Sequence, residues 1–210
     1  MFSDVVMISF VAAALVVLVI PGPGVLYVVA RSASQGVGAG LVSAVGLSVG
    51  VFVHVAAAAG GLSALLLASS TAFGILKLLG AAYLIYLGVT TLLAARRVPE
   101  IGIPSPLGMR RLFVDGVIVS VFNPKIAVFF LAFLPQFVDP GVGSAGQQIL
   151  LLGLIYAALA LITDGTYALL AGALRHLVQG RIMQGKWPSY ITGSLYIGLG
   201  LNAAFSGRKL

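Results

Sequence analysis

Two helix-breaking motifs interrupt long apolar stretches of this chain and constrain its fold more than any other feature. The first is the Pro-Gly-Pro-Gly run at residues 21–24, and the second is Asn-Pro-Lys at residues 123–125. Proline removes a backbone donor and clashes with the carbonyl four residues back, so each break frees polar backbone groups. At membrane depth such groups are tolerated only where they face protein or a water-filled cavity. Paired breaks in two halves of a chain therefore indicate a transporter's binding site.

Composition identifies the broad class of protein. Of the 210 residues, 60% are hydrophobic and only 8% are charged, and the mean hydropathy is +1.13. Soluble domains carry about 25% charged residues, so this chain cannot coat a water-facing surface. It is predicted to be an all-α integral membrane protein. The length allows about six spans of roughly 20 residues in a single domain covering residues 1–210.

Hydropathy divides the chain into two similar halves, residues 1–95 and 112–205, each with three spans of which the first is broken. The predicted spans are residues 5–30, 38–59, 73–95, 112–134, 148–174 and 189–205. The apolar run at residues 5–20 has no basic flank, so we interpret it as part of the first span and not as a signal peptide. An odd number of spans per half makes the halves inverted, which predicts a 3+3 inverted repeat with binding at the midplane.

Basic residues are distributed unevenly between the two sets of loops. The loops after spans one, three and five hold Arg31, Arg96, Arg97, Arg110, Arg111, Arg175, Arg181 and Lys186. The other side holds only Arg208 and Lys209. The positive-inside rule therefore predicts cytoplasmic odd-numbered loops and a C-terminus outside. The net charge of +7 does not indicate nucleic-acid binding, because no basic stripe is interleaved with aromatic residues.

The breaks also have a chemical interpretation. Half-helices starting after Gly24 and after Pro124 would each present free N–H groups and a positive dipole end, which favour a carboxylate. Lys125 adds a full charge about 20 Å into the fourth span, at the helical rise per residue. An intramembrane cation is a functional candidate by default. The alternative is structural: Lys125 pairs with a carboxylate or with helix C-terminal carbonyls and joins two helices.

Two further polar residues lie within apolar spans. Asp164 is the carboxylate placed well inside the fifth span, where it either binds a substrate amine, carries a proton for coupling, or anchors the helix near the interface. His54 in the second span either relays protons or donates a hydrogen bond across helices. Tyrosines at helical spacing supply either cavity hydroxyls or packing contacts; they are Tyr83, Tyr86, Tyr156 and Tyr167.

These motifs occur together in a known family. Through the segments at residues 21–41, 74–92 and 122–140, the chain resembles the LysE/RhtB family of bacterial amino-acid exporters. The resemblance implies an inner-membrane secondary transporter, driven by the proton gradient, that exports amino acids or related metabolites and needs no cofactor. The candidate substrate or translocation residues are Pro21, Gly22, Pro23, Gly24, Asn123, Pro124, Lys125 and Asp164, with Asp164 and His54 as candidates for proton coupling.

Other functions have weaker support. A divalent-metal exporter of a distantly related type needs clustered oxygen, imidazole or thiolate ligands, and this chain has two histidines and no cysteine. A non-transport membrane assembly protein is the other alternative. An enzyme is not expected, because no HExxH motif or nucleophile-base set is present. Gly-x-x-x-Gly pairs at residues 36–40 and 46–50 serve intrachain packing, a sliding interface or a homodimer contact, and the sequence leaves these open.

Overall fold

The computed structural model describes residues 2–62, 70–94, 106–139 and 141–175, and the single positions 190, 194, 197, 198 and 201. Within these ranges every regular element is a helix. The α-helices are α1 Asp4–Val19, α2 Pro23–Gln35, α3 Val37–Ala57, α4 Ser70–Ala94, α5 Met109–Val121, α6 Pro124–Val128 and α7 Ala145–Ala173. A π-helical turn, Ala58–Leu62, extends α3, while a π-helical turn, Phe129–Phe133, and a 3₁₀ turn, Leu134–Phe137, extend α6.

The described helices are those of a membrane protein. Two of them are long and apolar enough to span a bilayer alone, Val37–Gly61 and Ala145–Ala173. Two more spans arise if each bent pair is counted as one: α1 with α2, bent by 54°, and α5 with α6 and its extension, bent by 43°. Both predicted breaks are therefore confirmed. The predicted sixth span, residues 189–205, lies outside the described ranges apart from five helical positions.

The two broken segments pass each other in opposite directions. Phe10 of α1 packs against Phe129 after the second break, with the rings tilted and their centroids 6.1 Å apart. Further along α2, the Tyr27 hydroxyl donates to the Leu112 carbonyl at 3.0 Å. At the end of α2, the Gln35 amide exchanges two hydrogen bonds with the Leu107 backbone. As residue number rises in one segment it falls in the other, so the segments are antiparallel.

Helix α3 packs tightly against α5 through glycines. A Cβ added at Gly46 would collide with the Phe113 carbonyl oxygen, and one at Gly50 would collide with the Ser120 side chain. On the other side of the contact, a Cβ at Gly116 would lie 2.7 Å from the Ser43 carbonyl oxygen. Small residues permit such close approach of membrane helices. The pair at residues 46–50 therefore serves packing within the chain.

Several helix ends meet at one end of the bundle. The end of α2 contacts the residues before α5 through Gln35 and Leu107. A Cβ at Gly172, near the end of α7, would collide with Val37 at the start of α3. The loops after the first, third and fifth predicted spans therefore begin or end close together, and Arg175 follows α7 at this end.

Candidate functional site

The first break is a short extended link between α1 and α2. Ile20 and Gly22 both have extended backbone, and Pro23 occupies the first turn of α2. Proline suits this position because its missing N–H would have no intrahelical partner there. Helix α2 thus begins two residues earlier than the sequence predicted. No side chain caps its N-terminus, since the capping residue Gly22 has none.

At the second break, a side chain of the break itself caps the helix that follows, α6. Asn123 is the N-cap of α6, and its Oδ1 accepts a hydrogen bond from the Lys125 backbone N–H at 3.0 Å. Asparagine is among the preferred residues at this position, and Pro124 again occupies the first helical turn. Both Asn123 and Lys125 are buried. The cap fixes the direction in which the Lys125 side chain leaves the backbone.

The Lys125 side chain crosses from the second break to the first. Its ammonium donates to the carbonyl oxygens of Val17 at 3.1 Å and Ile20 at 2.9 Å. These carbonyls belong to the C-terminal turn of α1, where backbone acceptors lack helical partners and the dipole is negative. A cation is favourable there. Gly22 allows the approach, because its Cβ position is only 3.3 Å from Lys125 Cε.

A second side chain reaches the same helix end. The Tyr167 hydroxyl of α7 donates to the Val19 carbonyl oxygen at 2.7 Å. Three carbonyls at the end of α1 thus receive hydrogen bonds from side chains of the second half of the chain. An unpaired carbonyl at this depth would be costly in lipid, so the contacts from Lys125 and Tyr167 help to stabilise the break.

Asp164 and Lys125 line one small cavity between α1, α2, α3, α6 and α7. The lining residues are Leu18, Gly24, Val25, Leu47, Val51, Asn123, Lys125, Ile126, Tyr156, Ala160 and Asp164. The cavity measures about 20 Å³, room for one water molecule. The opposite charges of Asp164 and Lys125 attract each other, yet they form no direct ion pair in the described part of the chain.

His54 lies away from this cavity, at the contact between α3 and α5. Its Nε2 is 3.1 Å from the Ser120 carbonyl oxygen, and its ring stacks on Phe130 with centroids 6.1 Å apart. Because a carbonyl accepts, Nε2 carries the proton of this hydrogen bond. The geometry is that of a histidine that joins two helices.

The chain is similar to known bacterial membrane proteins. A model of the LysE type translocator family matches residues 15–207. The chain belongs to the LysE type translocator family. It is 32% identical over 152 residues to an uncharacterised membrane protein of Pseudomonas aeruginosa, covering 70% of each chain. It is also 29% identical over 197 residues to an uncharacterised membrane protein of Vibrio cholerae, covering 93% of this chain and 95% of the relative. No solved structure matches significantly.

The predicted site residues of this LysE type translocator fall into three groups. Gly24, Asn123, Lys125 and Asp164 all line the cavity, so the structure brings both breaks and the carboxylate together. Gly22 packs against Lys125, while the three prolines, Pro21, Pro23 and Pro124, set the course of the backbone at the breaks. His54 is separate from the cavity lining. In the described ranges, no three side chains of His, Cys, Asp or Glu come together as a metal site.

Part of the cavity wall of this translocator was not predicted from the sequence. Leu47 and Val51 of α3 and Ala160 of α7 line the cavity but carry no chemical signal. Only Ala160 could have been predicted, because it lies four residues from both Tyr156 and Asp164. The three residues therefore share one face of α7. Of the four tyrosines, Tyr156 lines the cavity and Tyr167 caps α1, whereas Tyr83 and Tyr86 stack on each other with centroids 6.0 Å apart.

Proposed function

We propose that this membrane protein exports amino acids from the cytoplasm, using the proton gradient. The observation that carries the proposal is the placement of Lys125 and Asp164 on one buried cavity without a direct ion pair. An amino acid carries a carboxylate and an ammonium on neighbouring atoms. A cation and a carboxylate that face a common space provide a complementary partner for each group.

The carboxylate would bind at the breaks. Two of the three Lys125 ammonium protons are donated to the carbonyls of Val17 and Ile20, and the third has no acceptor among the described residues. Gly24 and Val25 place the N-terminal end of α2 on the same cavity, where the helix dipole is positive. A carboxylate there meets a full charge and a helix terminus together, an arrangement that discontinuous membrane helices use for anionic groups.

The ammonium would bind at Asp164. This side chain is 8% exposed and projects from the C-terminal half of the apolar helix α7. A carboxylate at this depth is costly and therefore marks a functional position by default. In this scheme Asp164 also takes up the coupling proton, because substrate ammonium and proton are alternative partners for one carboxylate. Competition of this kind links release of the substrate to protonation.

Transport requires the helices around the cavity to separate, since a space for one water molecule does not admit an amino acid. The 3+3 inverted repeat provides the two halves that would move against each other. The antiparallel course of the broken segments, with their breaks in contact at Lys125 and Ile20, supports this arrangement. Alternating access would then open the cavity first to one side and then to the other.

The proposed orientation places the odd-numbered loops in the cytoplasm of a bacterial cell, within the inner membrane. The meeting of α2, α3, α5 and α7 ends at one end of the bundle supports a common side for these loops. Four arginines lie at or near the helix ends that meet there; they are Arg31, Arg110, Arg111 and Arg175. Basic residues accumulate on the cytoplasmic side of membrane proteins.

A direct test measures amino-acid efflux. Bacterial cells that express the protein are fed dipeptides, and the accumulation of the released amino acids is compared with cells carrying an empty vector. Export lowers accumulation, and a proton uncoupler abolishes the difference. If no amino acid shows lowered accumulation although the protein is inserted in the membrane, the proposed substrate class is wrong. If the uncoupler has no effect, the proposed coupling is wrong.

A further inference from the structure

We propose that the cavity selects amino acids with an uncharged aliphatic side chain, and that Ala160 determines how large that side chain can be. This inference rests on the proposed amino-acid export and adds a substrate class to the same site. It comes from the distribution of polar and apolar groups around the cavity and from the position of Ala160 on α7.

The cavity has one binding partner for the carboxylate of the substrate backbone and one for its ammonium. Lys125 and the α2 N-terminus bind the carboxylate, and Asp164 binds the ammonium. Apart from Asn123, Lys125, Tyr156 and Asp164, the lining residues are apolar or glycine; they are Leu18, Gly24, Val25, Leu47, Val51, Ile126 and Ala160. None of the lining residues that the structure describes therefore offers a second charge partner to a charged substrate side chain.

A lysine or glutamate side chain would thus enter the cavity as an unpaired charge. Unpaired buried charges are strongly unfavourable, because the protein does not replace the lost hydration. The resulting preference for an uncharged side chain is about 100-fold or more, the size of effect seen when one partner of a buried pair is removed. An aliphatic side chain instead contacts Leu18, Leu47 and Val51 without loss of hydration of any polar group.

The direction of the side chain follows from the spacing on α7. Ala160 lies one turn from Asp164 and one turn from Tyr156, about 6 Å in each direction. A substrate whose ammonium binds Asp164 therefore has its side chain beside Ala160. The wall at Gly24 is already filled, since a Cβ there would lie 3.3 Å from both Leu47 methyl carbons. The size of the residue at position 160 thus limits the size of the substrate side chain.

The test uses cells that express the protein and are fed dipeptides releasing alanine, leucine, lysine or glutamate. We expect lowered accumulation of alanine and leucine and unchanged accumulation of lysine and glutamate. Ala160→Leu should lower leucine export about tenfold or more relative to alanine export, since added carbon atoms in an apolar pocket discriminate by this amount. Ala158→Leu makes the same change on the exposed face of α7 and should leave the ratio unchanged.

Each other outcome has a distinct meaning. Lysine or glutamate export equal to leucine export would overturn the side-chain class while amino-acid export stands. An unchanged leucine-to-alanine ratio in an inserted Ala160→Leu protein would overturn the role of Ala160. If that variant is not inserted, Ala160→Gly decides, because it should raise leucine export relative to alanine export, and an unchanged ratio would count against Ala160. Absence of all amino-acid export would overturn the proposed function itself.

Discussion

The Lys125 ammonium lies 2.9 Å from the Ile20 carbonyl oxygen, so the charge of the second break caps the helix that ends at the first. The ammonium and the carbonyl oxygens at the end of α1 stabilise each other. The carbonyls at the end of α1 lack helical donors, and the ammonium is buried away from bulk solvent. The structural role that the sequence left as an alternative for Lys125 is therefore realised. Its third proton has no acceptor among the described residues, which leaves room for a substrate role as well.

Replacing Lys125 should impair both stability and transport. Lys125→Ala removes the donors for Val17 and Ile20 and leaves the charge of Asp164 uncompensated. We expect the free energy of unfolding to fall by about 3 kcal/mol, because each buried carbonyl left without a donor costs about 1 to 3 kcal/mol. Export should fall below detection. Thermal unfolding of the purified protein and efflux in cells are the measurements, and normal efflux by an inserted variant would contradict the binding role.

Lys125→Arg separates the two roles. The guanidinium keeps the charge and can still donate to carbonyls, but its planar shape differs from the compact ammonium. We expect most of the lost stability to return while export stays at least about tenfold below that of the parent protein, because a misplaced charge binds the carboxylate poorly. Full recovery of export together with stability would indicate that Lys125 only joins the two breaks.

Asp164→Asn should weaken substrate binding with little effect on insertion. The change keeps the shape of the side chain and removes the negative charge that pairs with an ammonium. We expect the KM for export to rise about tenfold or more, as for loss of a buried charged hydrogen bond. Concentration-dependent efflux from membrane vesicles measures it.

Asp115→Asn is the matched control for Asp164→Asn. Asp115 pairs with Arg111 at 2.8 Å, and the arginine side chain is 71% exposed. Exposed pairs of this kind contribute about 1 kcal/mol or less, so export should be unchanged. Equal effects of the two substitutions on KM would show that the position of Asp164 on the cavity is irrelevant.

His54→Gln should leave proton-driven export intact. Glutamine retains a donor that can reach the Ser120 carbonyl oxygen, now 3.1 Å from His54 Nε2, but it cannot carry a proton between sites. Since His54 is outside the cavity lining, we expect efflux within about twofold of the parent protein, with the same response to an imposed pH gradient in vesicles. Loss of the pH response alone would assign proton coupling to His54.

The breaks were predictable from sequence because their causes are local. Proline acts on its own turn of helix wherever it occurs, and Asn123 caps the residues that directly follow it. The type of each described span also followed from hydropathy, since burial in lipid requires apolar residues over a full crossing. For the same reason Lys125 and Asp164 could be singled out, as charges within such spans are rare.

The cavity wall was not predictable in the same way. Helix α7 is apolar on nearly all sides, so periodicity does not separate the face that lines the cavity from the face toward lipid. Ala160 and Ala158 are two residues apart in one apolar run, yet one is buried and the other exposed. Which α3 residues face the cavity depends on the rotation set by Gly46 and Gly50 against α5, a contact between distant parts of the chain.

Gly46→Ala should destabilise the protein by displacing α5. The added methyl would collide with the Phe113 carbonyl oxygen, which is backbone and cannot rotate away. We expect a loss of about 1 to 3 kcal/mol, the usual cost of overpacking, measured by thermal unfolding. Gly38→Ala on the same helix is the control, because nothing lies within 4 Å of its Cβ position. It should be neutral or stabilising, and equal losses in both variants would contradict close packing at Gly46.

Tyr167→Phe should remove one of the side-chain caps of α1 and leave the cavity lining intact. The lost hydrogen bond joins the hydroxyl to the Val19 carbonyl oxygen at 2.7 Å, and an average bond of this kind contributes about 1 kcal/mol. We expect the unfolding temperature to fall and substrate preference to stay the same. Tyr83→Phe removes a hydroxyl from an exposed ring of α4 and should change neither. Equal unfolding temperatures for Tyr167→Phe and the parent protein would show that the break at Ile20 does not depend on Tyr167.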